Sequence, residues 1–191
     1  MEKVVPKLFF IALFTFIPLL GHCSSIEENR EFDQWFQKLD NSKPKLTRFH
    51  FYFHDIVSGY GQTSFVVVPP PKIIRPSTTL FGQVNMFDNP QTKGPELTSG
   101  LVGRVQGLYS FASQEELCLL MAMTIVFTSG KHNGSSVTIL GRNAVFQSRR
   151  EFPIVGGTGD FRLARGFASV SSYFINATLG ILEYNLMVIH Y

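Results

Sequence analysis

From Leu46 onward the chain alternates. Phe49, Phe51 and Phe53 interleave with His50, Tyr52 and His54, a period of two that lays one set of side chains on each face of a β-strand. Ser58-Gly59-Tyr60-Gly61 turns the chain, and Thr63 to Val68 reads as a second strand, stopped by Pro69-Pro70-Pro71. Leu80 to Phe87 is a third, ended by Asp88-Asn89-Pro90, and Leu101 to Phe111 a fourth. Leu117 to Thr128, Ser136 to about Val145, Phe161 to Phe174 and Ile181 to Tyr191 complete a set of about eight. The connections are short, polar or rich in Gly and Pro, which predicts an antiparallel sandwich or a closed barrel. Meander connections and an even count favour the barrel, and closure removes exposed edges.

Two stretches add to this pattern. Arg150 to Gly166 holds the run Gly156-Gly157-Thr158-Gly159. Such a cluster marks backbone that needs positive φ or close approach, and it predicts a shaped corner between strands. It starts like a dinucleotide fingerprint, but the third glycine, a following helix and a Lys-Ser/Thr pair are all missing, so it does not read as a phosphate cradle. The fifth strand, Leu117 to Phe127, is apolar on both parities. The outside of a lone barrel alternates with polar residues, so a second copy of the chain, or the N-terminal arm, is expected to cover this face.

Ahead of the strands, Lys3 and Lys7 precede an apolar run from Leu8 to Leu20, followed by Ser24 and Ser25. That is the layout of a secretory signal peptide, with cleavage expected near Ser24 or Ser25, and the run is short for a membrane span. The expected division is residues 1–25 as signal peptide, 26–45 as a polar arm and 46–191 as the β domain. In the arm, Phe32, Trp35, Phe36 and Leu39 fall at helical spacing and Pro44 closes the segment. It reads equally as an arm packed on the domain and as a removable extension. No later segment reaches spanning length, so the mature chain is expected outside the cell and off the membrane. About 165 residues then remain, enough for one core. The formal charge of +3 falls to +2 with loss of Glu2, Lys3 and Lys7, and the remaining basic residues are scattered, which gives no nucleic-acid footprint. Cys23 lies at the signal boundary, and Cys118, within an apolar run, reads as a buried inert thiol.

Among candidate chemical groups, Asp55 shares a strand face with Phe49, Phe51 and Phe53. Burial there would raise its pKa, as a general acid requires, while an Asp capping the turn at Ser58-Gly59 is the alternative. His50 and His54 would stand roughly 13 Å apart on a strand, too far for one metal ion, and no metal site is expected. No G-x-S-x-G supports a serine hydrolase. Asn133-Gly134-Ser135 and Asn176-Ala177-Thr178 are glycosylation sequons in predicted loops. With eight strands counted as above, both loops fall on one rim, Asp55 near the same rim and Arg150 near the opposite one.

With these residues in view, the chain resembles the plant dirigent family from Leu46 to Tyr191. The resemblance rests on Phe51-Tyr52-Phe53-His54-Asp55-Ile56, Val102-Gly103-Arg104-Val105-Gln106-Gly107-Leu108-Tyr109, Gly141-Arg142-Asn143, the Arg150 to Gly166 stretch, and Glu183-Tyr184-Asn185 with His190-Tyr191. It implies an eight-stranded antiparallel up-and-down β-barrel, usually trimeric, secreted to the apoplast. Members bind phenoxy radicals of monolignols such as coniferyl alcohol, made by a separate oxidase (a laccase or peroxidase), and direct stereoselective coupling in lignan formation. They need no cofactor of their own. Other members look like dehydratases or cyclases that work through quinone methides, as in pterocarpan formation, and a non-catalytic cell-wall or defence binding protein is a third role. Carried over by position, Asp55 matches the family's pocket aspartate, Arg150 the arginine before the glycine corner and Tyr109 a pocket aromatic, with Phe53 beside them. Ser172 keeps a hydroxyl where lignan-forming members tend to have Thr. Asn143 stands where the best-understood lignan-forming members carry a second acid, and the family's cysteine pair has no counterpart.

Overall fold

The computed structural model describes residues 30–72 and 78–191. The expected signal peptide and its cleavage point lie outside them. The chain divides after Lys43 into two units. In the first, residues 30–39 are helical, as the spacing of Phe32, Trp35, Phe36 and Leu39 predicts. The second unit is all β: β1 Lys45–Ile56, β2 Ser64–Val68, β3 Val84–Thr92, β4 Leu101–Phe111, β5 Cys118–Phe127, β6 Ser136–Ala144, β7 Arg149–Thr158, β8 Arg165–Ile175 and β9 Leu179–His190. They form one antiparallel sheet in the order β1-β9-β8-β7-β6-β5-β4-β3-β2, and β1 also pairs with β3. That pairing closes an eight-stranded barrel with one extra strand.

The eight barrel strands are not the eight read from the sequence. Thr63 to Val68 is the extra strand, which pairs only with β3. Both β1 and β2 run antiparallel to β3, β1 opposite Gln91 and Thr92 and β2 opposite Val84 to Phe87. Along that edge they follow one another as two halves of a broken strand. The third strand begins later than expected, at Val84, and runs straight through Asp88-Asn89-Pro90. Proline lacks the N–H that a ladder uses, so it read as a stop; here Pro90 simply faces Arg104 on β4.

The larger difference is β7. The glycine run was expected to be a corner, but Gly156, Gly157 and Thr158 pair with Thr138, Val137 and Ser136 of β6, and the corner begins only at Gly159. A Cβ on Gly157 would lie 2.4 Å from the Ser136 carbonyl oxygen and 2.7 Å from that of Phe161, so the glycine permits a close backbone approach. Gly159, with φ +62°, turns the chain into a short 3₁₀ segment. Higher on the same seam a Cβ on Gly141 would meet the Pro153 ring at 2.9 Å, and β6–β7 pairing stops at Ile139↔Ile154. The bulky Pro153 ring and Gly141, which has no side chain, thus meet where the two strands part.

Because β2 runs in the same direction as β1, both antiparallel to β3, counting it as a barrel strand inverts the rims expected from β3 to the start of β7. With the end of β1 at Ile56 taken as the upper rim, the starts of β5, β7 and β9 and the ends of β4, β6 and β8 lie there too. Arg150, at the start of β7, therefore shares the rim of Asp55 rather than opposing it. The two sequons separate: Asn176 is on the upper rim and Asn133, between β5 and β6, on the lower.

Inward side chains fill the lumen. Phe51, Phe53, Phe87, Tyr109, Phe152 and Tyr184 make one contiguous aromatic group, with Phe51 and Tyr184 stacked at 5.5 Å. Below it, fully buried Phe161 packs on Phe49, Phe127, His132 and His190 at 4.8–5.6 Å. Along β5, Met121, Met123, Ile125 and Phe127 point inward and are buried, while Leu120 on the outer face is 42% exposed. Two neighbouring glycines give a test of the β7 corner. Gly157→Ala should cost about 1–3 kcal/mol of unfolding free energy in a denaturant titration, since backbone must move. Gly156→Ala, with nothing within 4 Å of the added carbon, should be neutral or stabilising by up to about 1 kcal/mol.

Candidate active site

The upper part of the lumen is left open as a cavity of about 160 Å³. It is lined by apolar Phe53, Leu119, Met121, Leu182 and Tyr109, by the polar side chains of Asp55, Asn143 and Arg150, and at its mouth by Val57, Val145, Ile175, Asn176 and Gly180. Of the residues expected at the site, Asp55, Arg150, Phe53, Tyr109 and Asn143 thus come together. Ser172 is not in the wall. It stands behind Arg150 and accepts a hydrogen bond from Nη2 at 2.8 Å.

Asp55 is placed by the break between β1 and β2. Phe53 is the last β1 residue paired with β3, and two residues on, by the period of the strand, Asp55 again points inward. Opposite it on β3, Asn89 Nδ2 donates to Oδ1 at 3.0 Å, and Asn89 is itself held by the Thr63 hydroxyl. Burial pushes the Asp55 carboxyl above its ordinary range, against the weaker pull of hydrogen bonds from Asn89 and Ser64. Ser64 of β2 also lies 3.2 Å from the Tyr109 hydroxyl, which accepts from Asn85 Nδ2 at 3.0 Å. Burial drives Tyr109 up to about 12, with the nearby Asp55 charge adding to it, so the phenol stays protonated. Tyr184, beneath, is likewise raised by its burial.

Arg150 is 4% exposed, and among the described residues no carboxylate lies within ion-pair distance of it. Besides Ser172 it reaches the Val145 carbonyl at 3.4 Å, across the gap where β6 and β7 part, and Nε has no partner. Burial lowers its pKa, yet a guanidinium remains charged at any ordinary pH. The cavity thus holds an uncompensated cation, which favours a ligand that brings or develops negative charge. No hydrogen bond or ion pair joins Arg150 to Asp55 among the described residues. Asn143, 7% exposed, gives only Nδ2 to the Met121 sulfur at 3.8 Å and leaves Oδ1 unpaired. That acceptor suits a ligand hydroxyl.

His50 pairs with Glu183 at 2.8 Å outside the barrel, and His54, buried, with Thr92 at 2.6 Å. Cys118 is a buried free thiol. Ser64, Asn85 and Asn89 escaped the sequence reading. Their signal was parity: Asn85, Phe87, Asn89 and Gln91 alternate on one face, visible once the strand is carried through Pro90.

This geometry coincides with a known family. The model of the dirigent-like proteins matches residues 46–189, and the chain belongs to the dirigent family. It is 43% identical to dirigent protein 21 of Arabidopsis thaliana, over 96% of this chain and 99% of that protein. It is 47% identical to pterocarpan synthase 1 of Glycyrrhiza echinata, over 77% of this chain and 79% of that one. The solved structure of the pterocarpan synthase dirigent protein GePTS1 superposes with a TM-score of 0.73 at 44% identity, covering 78% of this chain and 87% of that chain.

The raised Asp55 pKa has a consequence for stability. The native state holds the Asp55 proton to higher pH than the unfolded chain, whose carboxyl ionises near the ordinary value of 3.8. Its contribution to stability therefore falls as pH climbs from that value through the raised native pKa. Asp55→Asn, which keeps an acceptor for Asn89, should leave the melting temperature unchanged at pH 3 and raise it progressively above pH 4. A melting temperature that drops equally at all pH values would contradict a part-buried, reluctantly ionised acid.

Proposed function

We propose that this chain is an exported, cofactor-free dehydratase-cyclase that closes an ether ring on a phenolic quinone methide, in the manner its pterocarpan synthase relatives are named for. The observation that carries this reading is a single carboxyl, biased toward its protonated form, facing one uncompensated guanidinium in an aromatic-walled cavity. About 160 Å³ is the scale of hole that takes one benzene-sized ring, which suits one polycyclic phenol inserted by one end. Two radicals meeting side by side would need more room. Asn143, an amide, further separates this cavity from one built on two acids.

The chemistry balances as a dehydration. A hydroxylated isoflavan with a benzylic hydroxyl enters ring first, and stacking fixes which face it presents. Protonated Asp55 gives its proton to the benzylic hydroxyl, the C–O bond breaks, and water leaves. The conjugated phenol passes its proton to the Asp55 carboxylate, which restores the acid, and becomes the quinone methide oxygen, whose partial negative charge Arg150 stabilises. An internal phenolic hydroxyl adds to the methide carbon, a new C–O bond forms, and its proton goes to the quinone methide oxygen, which restores the ring phenol. Tyr109, kept neutral, serves as wall and donor. A two- to three-kcal/mol preference between faces, on the order of a hundredfold, suffices for one enantiomer.

The test uses a racemic 2′-hydroxyisoflavanol without oxidant, followed by chiral chromatography. Enantiomerically enriched cyclised product is expected, slowed about 100-fold or more by Asp55→Asn, with the rate falling as pH rises through the Asp55 pKa. Racemic product at the spontaneous rate, or an unchanged rate in the variant, refutes the proposal. Stereoselective coupling of coniferyl alcohol only when a laccase is added would instead assign the radical-directing role.

A further inference from the structure

The β8–β9 hairpin brings a sequon to the mouth of the cavity. Asn176 lines the same opening as Asp55 and Arg150 while remaining exposed to solvent. Its side chain is held by one atom only. Oδ1 accepts from Thr178 N at 2.9 Å, Thr178 Oγ1 at 3.0 Å and Leu179 N at 2.8 Å, which fills the acceptor and fixes the amide plane. Among the described residues Nδ2, the atom to which a sugar would be joined, makes no hydrogen bond. The hairpin is tied down on both sides: Asn176 N donates to the Leu179 carbonyl, and Val57 N, itself in the mouth, donates to the Thr178 carbonyl at 2.9 Å. A group attached at Nδ2 cannot swing clear with a loose loop. Asn133 offers the contrast. It is equally an exposed sequon, but it follows the 3₁₀ turn Gly130–His132 on the lower rim, at the far end of the barrel.

We propose that Asn176 is a modification site whose N-linked glycan stands over the cavity mouth and limits the rate and size of the phenol that enters. The inference rests on export and on the cavity being the phenol site, as above. It assigns different consequences to two sequons that look equivalent in sequence: the Asn176 sugar throttles the site, whereas the Asn133 sugar does not reach it. The attachment is the ordinary amide glycosylation, in which a lipid-linked oligosaccharide donor transfers its glycan to Nδ2, releasing the lipid pyrophosphate and one proton.

The experiment uses full-length protein secreted from yeast, with glycopeptide mass spectrometry for occupancy and stopped-flow fluorescence with umbelliferone (a small fluorescent phenol) for access. In Asn133→Gln protein, trimming the remaining glycan to one sugar with an endoglycosidase leaves the Asn176 turn untouched. It should raise the association rate constant several-fold with little change in the dissociation constant. Asn176→Ser, which keeps a turn-forming oxygen, should match the trimmed protein, and Asn133→Gln alone should match wild type. An unmodified Asn176, or association rates indifferent to trimming, overturns the inference. Loss of ring closure with umbelliferone binding intact would sink the proposed reaction and leave the gate standing, whereas no umbelliferone binding in any variant sinks both.

Discussion

The structure depends on how the barrel is closed. β1 pairs with β9 along its whole length, from Lys45↔His190 to Ile56↔Leu179, but touches β3 at only two positions, Tyr52↔Thr92 and Phe53↔Gln91. Past that point β3 would be left with an open edge, and β2 takes it over. Unpaired backbone inside a sheet is costly, so the seam is completed by two short partners instead of one long one. Asp55 sits at the change of partner. There Asn89, Thr63 and Ser64 converge, because the interrupted ladder leaves space for side-chain hydrogen bonds.

A second opening faces it. β6 and β7 part above Ile139↔Ile154, where Pro153 offers no N–H and its ring lies against Gly141. Into that gap Arg150 extends, held by Val145 and Ser172 rather than by an acid. The cavity is therefore bounded by two interruptions of one closed sheet, each carrying an ionisable group, the Asp55 carboxyl at one and the Arg150 guanidinium at the other. Polar groups in such a place are dear in folding terms. Asn143 Oδ1 and Arg150 Nε remain without protein partners, the signature of a surface prepared for a ligand rather than of a finished core.

Much of this was legible in the sequence, and the misses share a cause. Period-two alternation announced β1, and parity alone put Asp55 beside Phe53 in the lumen. The barrel class followed from strand spacing. What failed was counting across prolines and glycines. Pro90 hid the second half of β3 and with it Asn89. Pro153 and the glycine run hid β7, while Ser58-Gly59-Tyr60-Gly61 read as a reversal although β2 continues in the direction of β1, and that extra reversal moved Arg150 and Asn133 to the wrong ends. A strand's existence is a local property, but the rim on which a residue stands depends on every strand before it. Tertiary pairing supplied what local propensity denied, since Gly156 and Gly157 are strand residues only because β6 lies against them.

The ring chemistry, the pull of Arg150 on developing charge and the benefit of excluding water all presuppose that Asp55 holds a proton more tightly than an exposed aspartate does. Its own titration decides the matter most directly. With ¹³C-labelled aspartate, the Asp55 carboxyl carbon can be followed against pH by NMR, the resonance being assigned by its loss in Asp55→Asn. A midpoint displaced above 3.8, and displaced less when a phenolate-bearing ligand is absent than when it is bound, is the expected result. A midpoint at or below that value would mean that the carboxyl is stabilised as an anion, and a carboxylate so stabilised cannot serve as the acid.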